Sequence, residues 1–417
     1  MDRLTNTVRP YSWGSLTALP TLLGTPPTGE PQAELWMGAH PGAPSTLDRG
    51  DGPRPLDAVI AADPEGELGS AAVQHFGPTL PFLLKLLAAG ESLSVQVHPN
   101  LDQARAGFAD EEARGVPIDA PHRIYKDANH KPELICALDE FTALCGFRAA
   151  ADSALLLDSL GVPALAPLVD VLRSKPEPEA LREALTAVLV DSPGTVAATV
   201  LATTEALERA AADPAANPAV HRLPAALASS LGSYATVGRT FPGDPGLLAA
   251  LLLNFVRLRP GEALYLGAGV PHAYLGGLGV EILANSDNVV RCGLTPKHVD
   301  VPELLRIVDF RSADPGVLHP VPVPGSDGEK LYPAPVDEFR LSRYALGGTA
   351  PGSRRIPAHA PQILLCTEGT AVLTDADDSS VTLRRGESAF VSANAVDLTV
   401  AAADSAPCTV FRATVSL

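Results

Sequence analysis

The sequence predicts a mainly β protein with a helical insertion: two related β-barrels plus an α-helical domain set into the first. Three observations carry this. Short apolar–polar alternations punctuated by Pro and Gly occupy both ends of the chain. An Ala- and Leu-rich stretch with helical spacing lies between them. A strand–turn–strand pattern in the first part recurs 125 residues further on. The 417 residues, 46% of them hydrophobic, are also too many for one ordinary core.

The first β region runs from Pro81 to about Phe147. Leu93-Ser-Val-Gln-Val-His98 alternates strictly and stops at Pro99-Asn100. Leu93, Val95 and Val97 therefore share one face, and Ser94, Gln96 and His98 share the other. A strand apolar on one side and polar on the other implies a polar cavity behind it. Glu133–Leu138, after Lys131-Pro132, reads as a second short strand. From Ala149 to about Leu231 the texture is helical, cut by prolines at 163, 167, 176, 178, 193, 214 and 218.

Strand texture returns after Gly243, where Leu258-Arg-Pro-Gly-Glu262 begins a unit that ends at His272. Its second copy starts at Leu383-Arg-Arg-Gly-Glu387 and carries Asp397 where the first has His272. Two such copies predict a catalytic barrel from 1–148 and 235–315, a helical insertion at 149–234, and a degenerate second barrel at 316–417. The glycine turn and short strand leading to Pro271-His272 resemble jelly-roll barrels of the cupin type.

Charge narrows the partners. With 31 basic and 48 acidic side chains the net charge is −17, unsuited to a polyanion but compatible with a small anion held by a few local cations. Only six lysines occur, at 85, 126, 131, 175, 297 and 330. Arginine carries the remaining positive charge, so a retained lysine suggests use of its compact ammonium. Five cysteines with no C-x-x-C pair argue against a disulfide framework or thiolate knuckle. The N-terminus has no apolar leader, and no apolar run reaches the roughly 18 residues of a membrane span. A cytoplasmic monomer without nucleic-acid or membrane partners is expected.

Gln96 and His98 offer two donors on one strand face, Glu133 adds a carboxylate and His272 a second imidazole. Oxygen and nitrogen donors of this kind suit Zn²⁺, with Mn²⁺, Fe²⁺ or Co²⁺ less favoured. No spacing rule joins residues 98, 133 and 272.

Five segments resemble the type I phosphomannose isomerases of the cupin superfamily. They are Ala33-Glu-Leu-Trp-Met-Gly-Ala-His-Pro41, Pro81 to Asn100, His130-Lys-Pro-Glu133, Gly269-Val-Pro-His-Ala-Tyr-Leu275 and Glu281 to Asp300. The resemblance spans about residues 1 to 310, in the family's order. It implies one zinc held by Gln96, His98, Glu133 and His272, with Arg291 as the active-site arginine. Cys292 follows that arginine where many relatives have Ala or Gly. The implied reaction interconverts mannose 6-phosphate and fructose 6-phosphate through an enediol(ate). Glu281, Lys131 and His130 stand as candidate bases. Lys297, Lys85 and Ser94 are candidate phosphate contacts, and Tyr274 a candidate pocket wall. Trp36 reads as core packing, His40 as a loop residue, and Asp287 and Asn288 as turn formers. An iron dioxygenase would place His-x-His where Gln96-Val-His98 stands. A sugar-phosphate sensor would be free to lack Arg291 or a metal ligand.

Overall fold

The computed structural model describes residues 1–348, 352–395 and 398–417. Helix and strand take nearly equal shares, 30% and 29%, so the chain is mixed rather than mainly β. The difference comes from helices outside the expected insertion, among them Leu56–Ala62, Ser70–Phe76, Leu101–Ala113 and Val301–Ile307. Leu101–Ala113 shows why. Asn100 accepts from the Gln103 backbone N–H while the Gln103 side chain accepts from that of Asn100. The Pro-Asn pair read as a strand stop is also a helix start.

Ten strands between Thr7 and Gly293 form one antiparallel sheet. Seven more, Asp2–Leu4 and six lying between Val321 and Thr414, form a second, and four strands between Ser353 and Ala402 form a third. The two larger sheets pack against each other. Leu84, Leu86, Leu134 and Ile282 of one meet Leu341, Ile363, Leu365 and Phe411 of the other in a single apolar cluster. Helices from Ala150 to Ala250 pack on Val95, Val97, Leu144 and Phe147 of the ten-stranded sheet. No single described helix is long and apolar enough to cross a membrane.

Two strands fix the placement of the polar face. Val95 and Val97 of strand Val95–Val97 are 1% and 0% exposed, each contributing about 1.5–3 kcal/mol through burial. A one-residue slip would exchange them for Gln96, so the register is held firmly. Strand His272–Ala284 is the second. Its first half pairs with Phe141–Phe147 and its second half with Phe82–Ala89 and Glu133–Ala137. The change of partner occurs at a bulge near Gly276, next to Gly277 with φ +121°. A Cβ at Gly277 would meet the Glu140 carbonyl at 2.8 Å, so glycine alone fits. One bent strand thus carries both His272 and Glu281.

The internal repeat is visible in its turns. Glu262 Oε2 accepts from the Arg259 N–H at 2.8 Å, and Glu387 Oε2 from the Arg384 N–H at 2.7 Å. Gly261 and Gly386 have φ of +86° and +79°, and their N–H groups donate to Ala137 and Cys366. Asp397, the position aligned with His272, lies outside the described residues. One strand crosses the expected boundary: Asp2–Leu4 pairs with Ser388–Phe390, within the C-terminal sheet. Helices also continue beyond residue 234, as Leu231–Thr240 and Gly246–Ala250.

Candidate metal centre and active site

Strand Val95–Val97 lies between two neighbours, and register sets Gln96 beside His272 on one side and Arg291 on the other. Paired residues share a face, so an amide, an imidazole and a guanidinium stand in a row across three strands. His98 follows on the same face. Glu133 opens strand Glu133–Ala137, paired with Leu266 and Leu283.

Three side chains converge. His98, Glu133 and His272 are 0%, 3% and 0% exposed, and their ligand atoms lie within 4.8 Å of one another. His98 Nε2 is 3.4 Å from Glu133 Oε1, and His272 Nε2 is 3.4 Å from Glu133 Oε2. His98 Nε2, His272 Nε2 and Glu133 Oε2 are buried with no hydrogen-bond partner among the described residues. Leaving three such atoms unsatisfied is costly unless something charged sits among them.

The tautomers agree with this. His98 Nδ1 is 2.8 Å from the Asn288 carbonyl, and His272 Nδ1 is 2.8 Å from the Val270 carbonyl. A carbonyl only accepts, so both Nδ1 atoms carry the proton and both Nε2 lone pairs face Glu133. Burial pushes His98 down to about 4, outweighing Glu133, which keeps the ring neutral. Burial raises the Glu133 carboxyl, but Lys131, His98 and His272 more than reverse this and hold it well below its usual range. Two imidazoles, one carboxylate and the Gln96 amide suit zinc.

Around this centre stands a second, charged group. Lys131 Nζ is 3.0 Å from Glu133 Oε1. Lys85 is buried with its ammonium 3.4 Å from both Glu34 and Glu281. Burial opposes its charge, yet Glu34, Glu281 and Glu133 drive its pKa upward. Glu281 is 2% exposed, and burial, with Glu133 and Glu34 nearby, lifts it to about 7 against the pull of Lys85. The Tyr274 hydroxyl is buried without a hydrogen-bond partner among the described residues, and burial, with Glu281 and Glu133 nearby, raises its pKa well above the usual value.

Arg291 is half-buried and Lys297 exposed. Burial lowers both, and Arg291 lowers Lys297 further, placing the two cations near each other. Ser94, half-buried, lies just before strand Val95–Val97. His130 is directed elsewhere: its Nε2 lies 2.6 Å from Glu338.

Sequence reasoning missed several supports. Glu34 accepts from Trp36 Nε1 at 2.6 Å and pairs with Lys85, so Trp36 is part of this polar cluster as well as packed. Lys85 lies over the Trp36 ring, 5.1 Å from its centroid. Asp244 accepts from the Leu294 N–H at 2.9 Å and anchors that residue at φ +56°, just beyond Arg291. His40 Nε2 sits 3.3 Å from Asp287.

The phosphomannose isomerase type I catalytic-domain model matches residues 1–150. The chain is 41% identical over 402 residues to mannose-6-phosphate isomerase of Salmonella typhimurium, covering 94% of this chain and 95% of the relative. To the Escherichia coli (strain K12) enzyme it is 40% identical over 407 residues, covering 96% and 97%. A crystal structure of the Salmonella typhimurium enzyme bound to fructose 6-phosphate and zinc matches with a TM-score of 0.87 at 36% identity, covering all of both chains. With such identity from end to end, and with the convergent donors described above, the chain belongs to the type I phosphomannose isomerase family.

Proposed function

We propose that this protein is a zinc-dependent aldose–ketose isomerase interconverting mannose 6-phosphate and fructose 6-phosphate through an enediol(ate). The observation that carries the reading is the convergence of three buried, unpartnered donor atoms of His98, Glu133 and His272. It occurs in a chain similar throughout to mannose-6-phosphate isomerases.

Gln96, His98, Glu133 and His272 would hold the zinc. Bound there, it supplies a Lewis acid and a template for the sugar oxygens. The isomerisation needs no electron donor. A proton leaves C2 of the open-chain aldose for a base and returns at C1, while a proton passes between O2 and O1. Arg291, next to Gln96 in register, brings two fixed donors to the negative charge that develops on those oxygens. Glu281 is our first choice of base, since a carboxyl near 7 both takes and returns a proton around neutral pH. Lys131 is the alternative. The Glu338 contact of His130 disfavours the third candidate. Lys297 and Ser94 are assigned to the phosphate. Lys85, closed between two carboxylates, is better suited to orient Glu281 than to meet substrate. Tyr274 lines the pocket wall.

The two-barrel division, with 149–234 as insertion and 316–417 as the second barrel, is supported by the repeated turn geometry. Five free cysteines support a reducing, cytoplasmic setting. The monomeric state is open to light scattering. For function, purified protein is assayed for mannose 6-phosphate conversion before and after chelation. Activity should vanish with about one zinc per chain and return on zinc addition. Full activity in the metal-free protein would defeat the reading.

A further inference from the structure

Asn288 is 0% exposed and its side chain is saturated with contacts. Its Oδ1 accepts from the N–H groups of Lys126 at 2.7 Å and Asp127 at 3.3 Å. Its Nδ2 donates to the carbonyls of Asp127 and Asn129, both at 2.8 Å. Asp127 answers from the other side. Its Oδ1 accepts from Ser286 Oγ at 2.8 Å and its Oδ2 from the Asp287 N–H at 2.8 Å. Ser286 is 2% exposed and also accepts from the Asn288 N–H. Two segments about 160 residues apart are thereby tied through three side chains.

Each end of this tie leads into the site. The Asn288 carbonyl is the acceptor for His98 Nδ1, at 2.8 Å. Three residues on, Arg291 pairs with Gln96. On the other segment, Lys131 and Glu133 follow closely after Asp127 and Asn129. A turn former would need one or two of these bonds. A carbonyl that fixes a ligand's tautomer must itself be immobile, and the three side chains supply that immobility.

We propose that Asp127, Ser286 and Asn288 form a positioning clasp that sets the orientation of His98 and thereby the affinity of the metal centre. This rests on the reading of His98 as a ligand. Asp127→Asn, Ser286→Ala and Asn288→Ala are compared with His98→Ala and with Asn217→Ala, a helix-capping side chain in the helical region that bonds Ser159. Zinc affinity is read by chelator competition and ligand geometry by the visible spectrum of the cobalt-substituted protein.

The clasp variants should bind zinc about 10–100-fold more weakly, with an altered cobalt spectrum. Asn217→Ala should lower the melting temperature and leave both readouts alone. Ser286→Ala and Asp127→Asn decide the matter if Asn288→Ala fails to fold. Unchanged zinc affinity in His98→Ala would defeat the ligand assignment itself. Zinc lost in His98→Ala, but bound with parental affinity and spectrum in the clasp variants, would defeat the clasp alone.

Discussion

The interiors of the two larger sheets share a framework and differ in how they treat polar atoms. Aligning the Leu-Arg-x-Gly-Glu turns and following strand register sets Glu133 against Gln362. The same alignment sets Glu281 against Arg412 and Lys85 against Ser342. In the C-terminal sheet the polar groups close on one another. Arg412 Nε donates to Gln362 at 2.6 Å, its NH1 to Glu329 at 2.9 Å, and Ser342 Oγ to Glu329 at 2.6 Å. In the N-terminal sheet the equivalent face leaves the Nε2 atoms of His98 and His272 and one Glu133 oxygen directed at a common point. In the C-terminal arrangement Arg412, Gln362, Glu329 and Ser342 partner one another, which rigidifies, although Arg340 Nε and Tyr344 Oη on the same strand as Ser342 are buried without a partner among the described residues. The N-terminal one is poised for a cation. Function here depends on which lone pairs are left free, more than on the fold beneath them.

The contrast between the sheets is tested most severely at residue 133. Glu133→Gln gives the N-terminal cluster the residue type of its counterpart and removes the only carboxylate among the proposed ligands. Zinc content should fall from about one per chain towards zero, and activity should drop by more than roughly 10³-fold. Metal analysis beside a coupled assay measures both, and retained zinc would mean that the ligand set is drawn wrongly.

A smaller loss tests the chemistry apart from the metal. Arg291→Ala should lower kcat by about 10²–10³-fold with zinc still bound. A change confined to KM would make Arg291 a uniform binder instead.

The least effect on catalysis is expected in the C-terminal sheet. Arg412→Leu removes the nearer cation from buried Glu329, leaving it the Ser342 hydroxyl and Arg340 at 3.9 Å, at a cost of up to about 3–5 kcal/mol. The melting temperature should fall while kcat/KM of the folded protein stays within a few-fold. Lost activity at an unchanged melting temperature would show the C-terminal network to be functional.

Legibility in the sequence follows the range of the interactions. Within the Leu93–His98 alternation, Val95 and Val97 lie in the core as period two puts them, whereas Leu93, outside the strand Val95–Val97, packs in a different apolar cluster. The repeat can be seen because its turn uses a glycine and a glutamate in fixed local roles. Glu133 and His272 can be joined to His98 only through family resemblance, since strand pairing across long separations brings them together. Glu34 and the Asp127–Asn288 contacts are illegible for the same reason. The balance of helix and strand escapes the sequence pattern because helices outside the insertion are short or, like Leu101–Ala113, weakly periodic, the start of that one being fixed by the Asn100–Gln103 cap.

The three-residue strand Asp2–Leu4 bears on the order in which the molecule assembles. Its sheet neighbours are Ser388–Phe390, and Arg3 bonds Glu387 across a separation of 384 residues. At about 5–20 residues per second, a ribosome makes that partner roughly 20–80 s after the strand itself. Until then the strand lacks the partner that ties it into the seven-stranded sheet. Closure of this contact is therefore a late, high-contact-order event, and a strand made some 380 residues before its partner is among the last to find its place.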